Sequence, residues 1–277
     1  MITIILLILI LLVFFLYTKK SNYVKLHHTV NKSIDLIISR YNEDLLWTLE
    51  EPFNKYKYIV YNKGTNELFE KKNIKKIIKI NNVGRCDHTY LYHIVNNYDN
   101  LADINIFLPG SLNLFYKKNK AETMLNKINE LNKAVFISDY RSSNISKSFY
   151  NFQLDDYVSA EKKNITKHNQ EKLKISYIRP YGKWYDNNFK NIVIKNSSFF
   201  GIFSIAKKDI LQNDKLKYEK FMKDLENSSN PELGHYYERS WEGIFYPLNE
   251  TVIINGSIIL QFTLEITHYI NSITNKL

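Results

Sequence analysis

At 277 residues, with 44% hydrophobic and 24% charged side chains, the chain is long and apolar enough to bury a full core, which excludes intrinsic disorder. Its formal charge of +10 is spread rather than gathered into a basic run, so no nucleic-acid partner is expected. A single cysteine, Cys86, rules out an intrachain disulfide and any multi-thiolate zinc site.

Residues 2–17 carry no charge, have Thr3 as their polar interruption, and stop at Thr18, Lys19 and Lys20. They predict a transmembrane anchor over residues 1–20. As a helix the run spans about 24–27 Å, slightly short of an average bilayer core, which suits a thin membrane such as the endoplasmic reticulum. A cleaved signal peptide would end on small residues, whereas this run ends on Phe14, Phe15, Leu16 and Tyr17. A single-pass protein of an endomembrane is expected. Its sidedness stays open: Lys19, Lys20 and Lys25 favour a cytoplasmic body, while sequons at Asn31, Asn144, Asn164, Asn196, Asn227, Asn249 and Asn255 favour the opposite.

A polar stalk, residues 21–32, leads to one α/β domain, residues 33–277. Ile34 to Arg40 is a β-branched run of buried-strand type, and a helical stretch through Leu45, Leu46, Trp47 and Leu49 follows a polar loop. Lys57 to Tyr61 and Ile74 to Ile80 read as further strands. Tyr90, Leu91, Ile94, Val95 and Tyr98 share one face of a helix that begins near Cys86 or Asp87. Asp103 to Leu108 is a strand ended by Pro109 and Gly110. Repeated strand, loop and helix units predict a mostly parallel sheet covered by helices on both faces, Rossmann-like, with ligands beyond the carboxyl ends of the strands. Residues 116–195 hold one clear helix, Ala121 to Leu131, among variable polar connections. Phe199 to Ile205 predicts a strand, Ala206 to Leu211 and Leu216 to Leu225 helices. Beyond Val252 the tail is apolar but broken by Asn255 and Gly256.

No P-loop, dinucleotide fingerprint, HExxH, GxSxG or CxxC pattern is present. His27 and His28 read as a surface pair. His88 and His93 would stand about 140° apart on a helix, too far round to share a ligand. Three groups carry chemistry. Arg40, Asn42, Glu43 and Asp44 end a buried strand, where capping explains the Asn and Asp but not the Arg or Glu. Asn82, Gly84 and Arg85 make a strand-to-helix turn that either binds phosphate or is an ordinary glycine turn. On the last strong helix Tyr237, Trp241, Ile244 and Phe245 form a buried stripe beside His235, Glu238, Arg239 and Glu242. That polar face is either an intrahelical ion-pair ladder or a sugar-compatible surface with Glu238 as general base.

The segments ISRYNEDLLW, NVGRCDHTYLYHIVNNYDNLADINIFLPGS, FFGIFSIAKKDIL and GHYYERSWEGIF, in this order, resemble an uncharacterised domain-of-unknown-function family of fungi, bacteria and large viruses. Its members are similar to glycosyltransferases of the GT-A type. The resemblance implies Arg40, Asn42, Glu43 and Asp44 near a nucleotide, Asn82, Gly84 and Arg85 near the donor, and catalytic Glu238, Arg239 and His235 at the reaction end. Cys86 stands where the family usually has an acid, with Asp87 one place late. The divalent cation of such enzymes, manganese or magnesium, is commonly held by Asp-x-Asp, which this chain lacks; the metal ligands are therefore unknown. Either Arg and Lys neutralise the diphosphate, or Asp139, Asp155 or Asp156 serves. The expectation is a membrane-anchored glycosyltransferase-like protein moving a sugar from a nucleotide-sugar to a glycan or protein acceptor. A tethered binding protein that keeps the fold without catalysis is the alternative.

Overall fold

The structure is a computed structural model that describes residues 32–157 and 172–256, all within the second of two compact units, residues 32–277. The predicted anchor at residues 2–17 and the tail beyond Gly256 lie outside the described residues, among which no helix is long and apolar enough to cross a membrane.

Strand β1 (Ile34–Arg40) matches its predicted bounds and is buried from Leu36 onward, as a β-branched run covered on both faces should be. Two 3-10 turns, Leu46–Leu49 and Phe53–Lys55, lead to β2 (Tyr58–Asn62) and β3 (Ile74–Lys79). Helix α1 (Arg85–Asn96), β4 (Ile104–Pro109), α2 (Phe115–Leu131) and β5 (Val135–Ser138) follow. The central region holds β6 (Tyr140–Arg141), α3 (Ile145–Ser148), α4 (Tyr181–Asn188) and β7 (Asn196–Ser197). The chain then forms β8 (Phe203–Ala206), α5 (Lys207–Leu211), α6 (Lys215–Asp224), α7 (Glu232–Ile244) and β9 (Val252–Asn255).

The main sheet runs β3-β2-β1-β4-β8, its first four strands parallel and β8 antiparallel to β4. Ile37 lies opposite both Ile59 and Phe107, which fixes the register at the centre. The two-residue period sorts the strands into two cores. Ile37, Tyr61, Phe107 and Phe203 pack with α1, α6 and α7; Leu36, Ile38, Val60, Ile106 and Leu108 pack with α2, Trp47 and Phe53. The predicted mixed α/β architecture with a mostly parallel sheet is therefore observed, and the predicted stripe of Tyr237, Trp241, Ile244 and Phe245 is fully buried.

Three local expectations need correcting. The helix predicted after β1 is replaced by 3-10 turns: Leu45 is left-handed (φ 59°), the Leu46 N–H bonds to Asp44, and Pro52 lacks the donor a continuing helix needs. The strand expected from Phe199 starts only at Phe203, because Phe200 and Gly201 both take positive φ. The α7 polar face is not an ion-pair ladder. Glu242 reaches sideways to accept from the Lys195 N–H (2.9 Å), the Asn196 N–H (2.6 Å) and the Asn196 side-chain amide (3.1 Å).

Glu242→Ala would leave the buried Asn196 donors without an acceptor. It is expected to cost about 3 kcal/mol, read as a lowered denaturation midpoint at unchanged m-value.

Candidate functional site

From β1 the chain moves to β2 and β3 on one side, whereas β4 takes the other side, so the strand order reverses between β1 and β4. Ligands of wound α/β sheets collect beyond the carboxyl ends at such a point. The loop after β1 is held from within by Arg40, which is fully buried. Its guanidinium donates to the carbonyls of Glu43 (2.7 Å) and Asn66 (2.7 Å) and to Asn62 Oδ1 (2.6 Å), and it stacks over Phe69 at 4.0 Å. Arg40 thus shapes the loop rather than reaching across it. Asn42 lies against Gly64, and Asp44 caps the following turn. Glu43 turns toward β4: its Oε2 accepts from the N–H groups of Tyr41 (2.7 Å) and Asn42 (3.1 Å) and sits where a Cβ on Gly110 would approach to 2.7 Å. Gly110 is small because Glu43 occupies that space.

At the second group, Gly84 (φ 58°) packs so tightly against α1 and Leu225 that a Cβ would fall 2.5 Å from that of His88. Asn82 lies half-buried on this turn. The turn is pinned by a residue outside the predicted set. Lys63, just past β2, donates to the Val83 carbonyl (2.5 Å) and to that of Arg85, and burial pushes its ammonium down to about 7. Arg85 donates to the Tyr157 hydroxyl (3.1 Å) and Asn230 Oδ1 (3.2 Å), with its guanidinium 4.3 Å over the Tyr157 ring. Cys86 faces Gly201, and burial pushes its thiol up, so it is no thiolate. Asp87 is buried with Oδ1 unpartnered; burial, and then the nearby Glu238, push its carboxyl up to about 8 against the opposing pull of Arg85 and Lys63.

Helix α7 supplies the third group. Gly234 leaves room for both Arg85 and Asp87, each 3.2 Å from where its Cβ would stand, and Glu238 lies one turn further along the same face. The Glu238 carboxylate accepts the Phe200 N–H. His235 packs on Tyr157 with ring centroids 4.3 Å apart; burial, then Arg85 and Arg239, hold it neutral. Arg239 is boxed by aromatic rings, 3.5 Å over Phe152 and 5.1 Å from Phe149, and burial pushes it down to about 10. Its guanidinium faces these phenylalanine rings.

The groups meet at a side chain that the sequence reading passed over. Lys117, in the first turn of α2, donates to Ser111 Oγ (2.7 Å) just past β4. Burial lowers its pKa, the carboxylates of Glu238 and Glu43 oppose that, and Arg85 adds to it. One ammonium thus feels charges drawn from all three groups. One turn along α2, the buried Lys120 ammonium bonds to Asp139 Oδ2 (2.5 Å), Ser198 Oγ (2.9 Å) and the Phe199 carbonyl (2.8 Å). Lys117 and Lys120, three residues apart right after a strand-ending turn, were the legible signal for this helix face.

The candidate metal carboxylates do not assemble a ligand set. Asp139 is taken up by Lys120 and the Phe199 N–H, Asp155 pairs with Arg179, and Asp156 accepts the Tyr157 N–H. Among the described residues no group of three or more His, Cys, Asp or Glu could hold a metal ion.

Residues 36–253 match the family described as protein of unknown function DUF3431, a stretch that includes every group of the rim. The chain belongs to the DUF3431 family. No curated protein matches this DUF3431 chain.

Two measurements check the electrostatics of the rim. Lys120→Met leaves the Asp139 carboxylate buried and uncompensated and is expected to cost about 3–5 kcal/mol, with much of that recovered in the Lys120→Met/Asp139→Leu double variant. Asp87 holds its proton in the folded state up to about 8 but releases it near 4 when unfolded. Its contribution is therefore fully present below about 4 and is lost as the pH rises to 8. The stability of Asp87→Asn relative to the native chain should grow across that window and level off above it; a pH-independent difference would contradict the assignment.

Proposed function

We propose that the chain is a membrane-anchored glycosyltransferase that moves a sugar from a nucleotide-sugar donor to a glycan or protein acceptor. Three features support the reading: the sequence resemblance to GT-A enzymes, the reversal of strand order between β1 and β4, and above all the single Lys117 ammonium that senses Glu43, Arg85 and Glu238. In this reading the nucleoside lies over the loops that Arg40 and Lys63 stiffen, and the diphosphate faces Lys117 and Arg85. Both cations are held in place before any ligand arrives. The acceptor hydroxyl oxygen attacks the anomeric carbon as the bond from that carbon to the diphosphate oxygen breaks. The electron pair leaves with the nucleoside diphosphate, and the hydroxyl proton passes to Glu238. Arg239 and His235 act as positioning residues that set the pitch and neutral packing of α7. Among the described residues no carboxylates form a ligand set, so no residue is assigned to a metal. Residues 2–17 tether the domain to an endomembrane in this account.

Calorimetric titration of the full-length chain with uridine, guanosine and cytidine nucleotide-sugars, with and without manganese, tests the proposal. Binding of at least one donor is expected, weakened tenfold or more in Lys117→Ala, about 1.4 kcal/mol. Glu238→Gln should bind donor and fail to transfer. Absence of binding to every donor in both conditions would remove the enzyme reading.

A further inference from the structure

We infer that Phe200 is the platform of a saccharide subsite, on which the apolar face of a pyranose acceptor stacks beside Glu238 and Lys117; which saccharide it serves rests on the transferase reading. Phe200 lies in the turn between β7 and β8 with φ 68°, followed by Gly201 at φ 64°. A bulky side chain in the left-handed region costs about 1–2 kcal/mol, and such residues persist only where the surroundings over-determine them.

Here they do. Asp139 Oδ2 accepts the Phe199 N–H at 2.7 Å, and Lys120 donates to the Phe199 carbonyl at 2.8 Å and to Ser198 at 2.9 Å. Ser198 Oγ in turn donates to the Ile202 carbonyl (3.0 Å), Tyr90 donates to the Gly201 carbonyl (2.7 Å), and Glu238 takes the Phe200 N–H. A buried ion pair, a tyrosine from α1 and a carboxylate from α7 all hold one short turn. Glycine would adopt that backbone without strain, so what the phenylalanine adds is its ring.

The ring is only partly buried and packs edge-on against Tyr116, centroids 4.9 Å apart, at the start of α2, where Phe115 is 81% exposed. The Glu238 carboxylate is bonded to the Phe200 N–H, the buried Lys120 ammonium stands 5.8 Å over the ring, and Lys117 follows Tyr116 on α2; an aromatic ring in such company suits a ligand that is apolar on one face and hydroxylated at its edge. Each hydroxyl both donates and accepts, so it can serve Glu238 and Lys117 alike. A nucleobase would also stack, but its edge has fixed donors and acceptors, which charged groups that only accept or only donate match less well.

The test uses the full-length chain and methyl glycosides of glucose, galactose, mannose and N-acetylglucosamine, read by saturation-transfer NMR. At least one glycoside should receive saturation at its ring C–H protons, and Phe200→Gly should weaken that binding about tenfold. Phe200→Gly relieves the backbone but withdraws the ring from both cores, so binding is compared only where a cooperative unfolding transition shows the variant folded, and Phe200→Tyr, which keeps the ring, should retain the signal. A glycoside signal unchanged in Phe200→Gly would overturn the inference. So would the absence of any glycoside signal, or saturation of uridine, adenosine or guanosine that disappears in that variant in place of a glycoside. Nucleotide-sugar titration of the same samples reports on the transferase reading alone: glycoside binding through Phe200 without donor binding keeps the subsite and removes the transfer.

Discussion

An ammonium buried in a protein must find acceptors for three donors, and Lys120 does so with the Asp139 carboxylate, the Ser198 hydroxyl and the Phe199 carbonyl. Removing these charges from water costs several kcal/mol per ion, and the arrangement is tolerable because the ammonium finds all three acceptors, although Asp139 Oδ1 is left without a hydrogen-bond partner. Its consequence is geometric. It fastens α2 to the end of β5 and to the turn before β8, and thereby sets where Lys117, one turn earlier on the same helix, can place its ammonium. The rim at the carboxyl ends of β1 and β4 depends on that fastening.

Two further buried cations work in the same way at neighbouring points. Arg40 organises the loop after β1 and, through its bonds to the 62–66 segment, the exit from β2. Lys63 pins the left-handed turn before α1. Both are committed chiefly to backbone carbonyls, whereas Lys117 feels the carboxylates Glu238 and Glu43, and Arg85 is held by Tyr157 and Asn230. Gly110 and Gly234 complete the design by absence of bulk: one makes room for Glu43, the other for Arg85 and Asp87. The rim is thus built from rigid parts, as electrostatic preorganisation requires.

The sequence carried the sheet well because burial on both faces writes itself as β-branched runs; β1 is the clearest case, and β4 differs by one residue at each end. It misled where a local hydrogen bond or a left-handed residue overrode pattern, as at Leu45 and at Phe200. Of the candidate side chains, Glu43, Arg85 and Glu238 all act on the Lys117 ammonium, while Arg40 and Arg239 are enclosed by partners no periodicity could reveal: loop carbonyls for one, three phenylalanine rings for the other. The lysines were hard to read for a different reason. In a chain with 38 Lys and Arg, a buried lysine looks like a surface one until its acceptors are known. Position relative to a strand end was the usable clue, and it points to Lys63 and Lys117 alike.

The account stands on the gathering of these charges around one ammonium, and the titration of Lys117 itself tests it most directly. With isotope-labelled lysine in the full-length chain, NMR titration should show the Lys117 transition moving to lower pH in Glu238→Gln and to higher pH in Arg85→Gln, since the first removes an attractive charge and the second a repulsive one. A Lys117 transition that stays in place in both variants would mean that the three groups do not share a site.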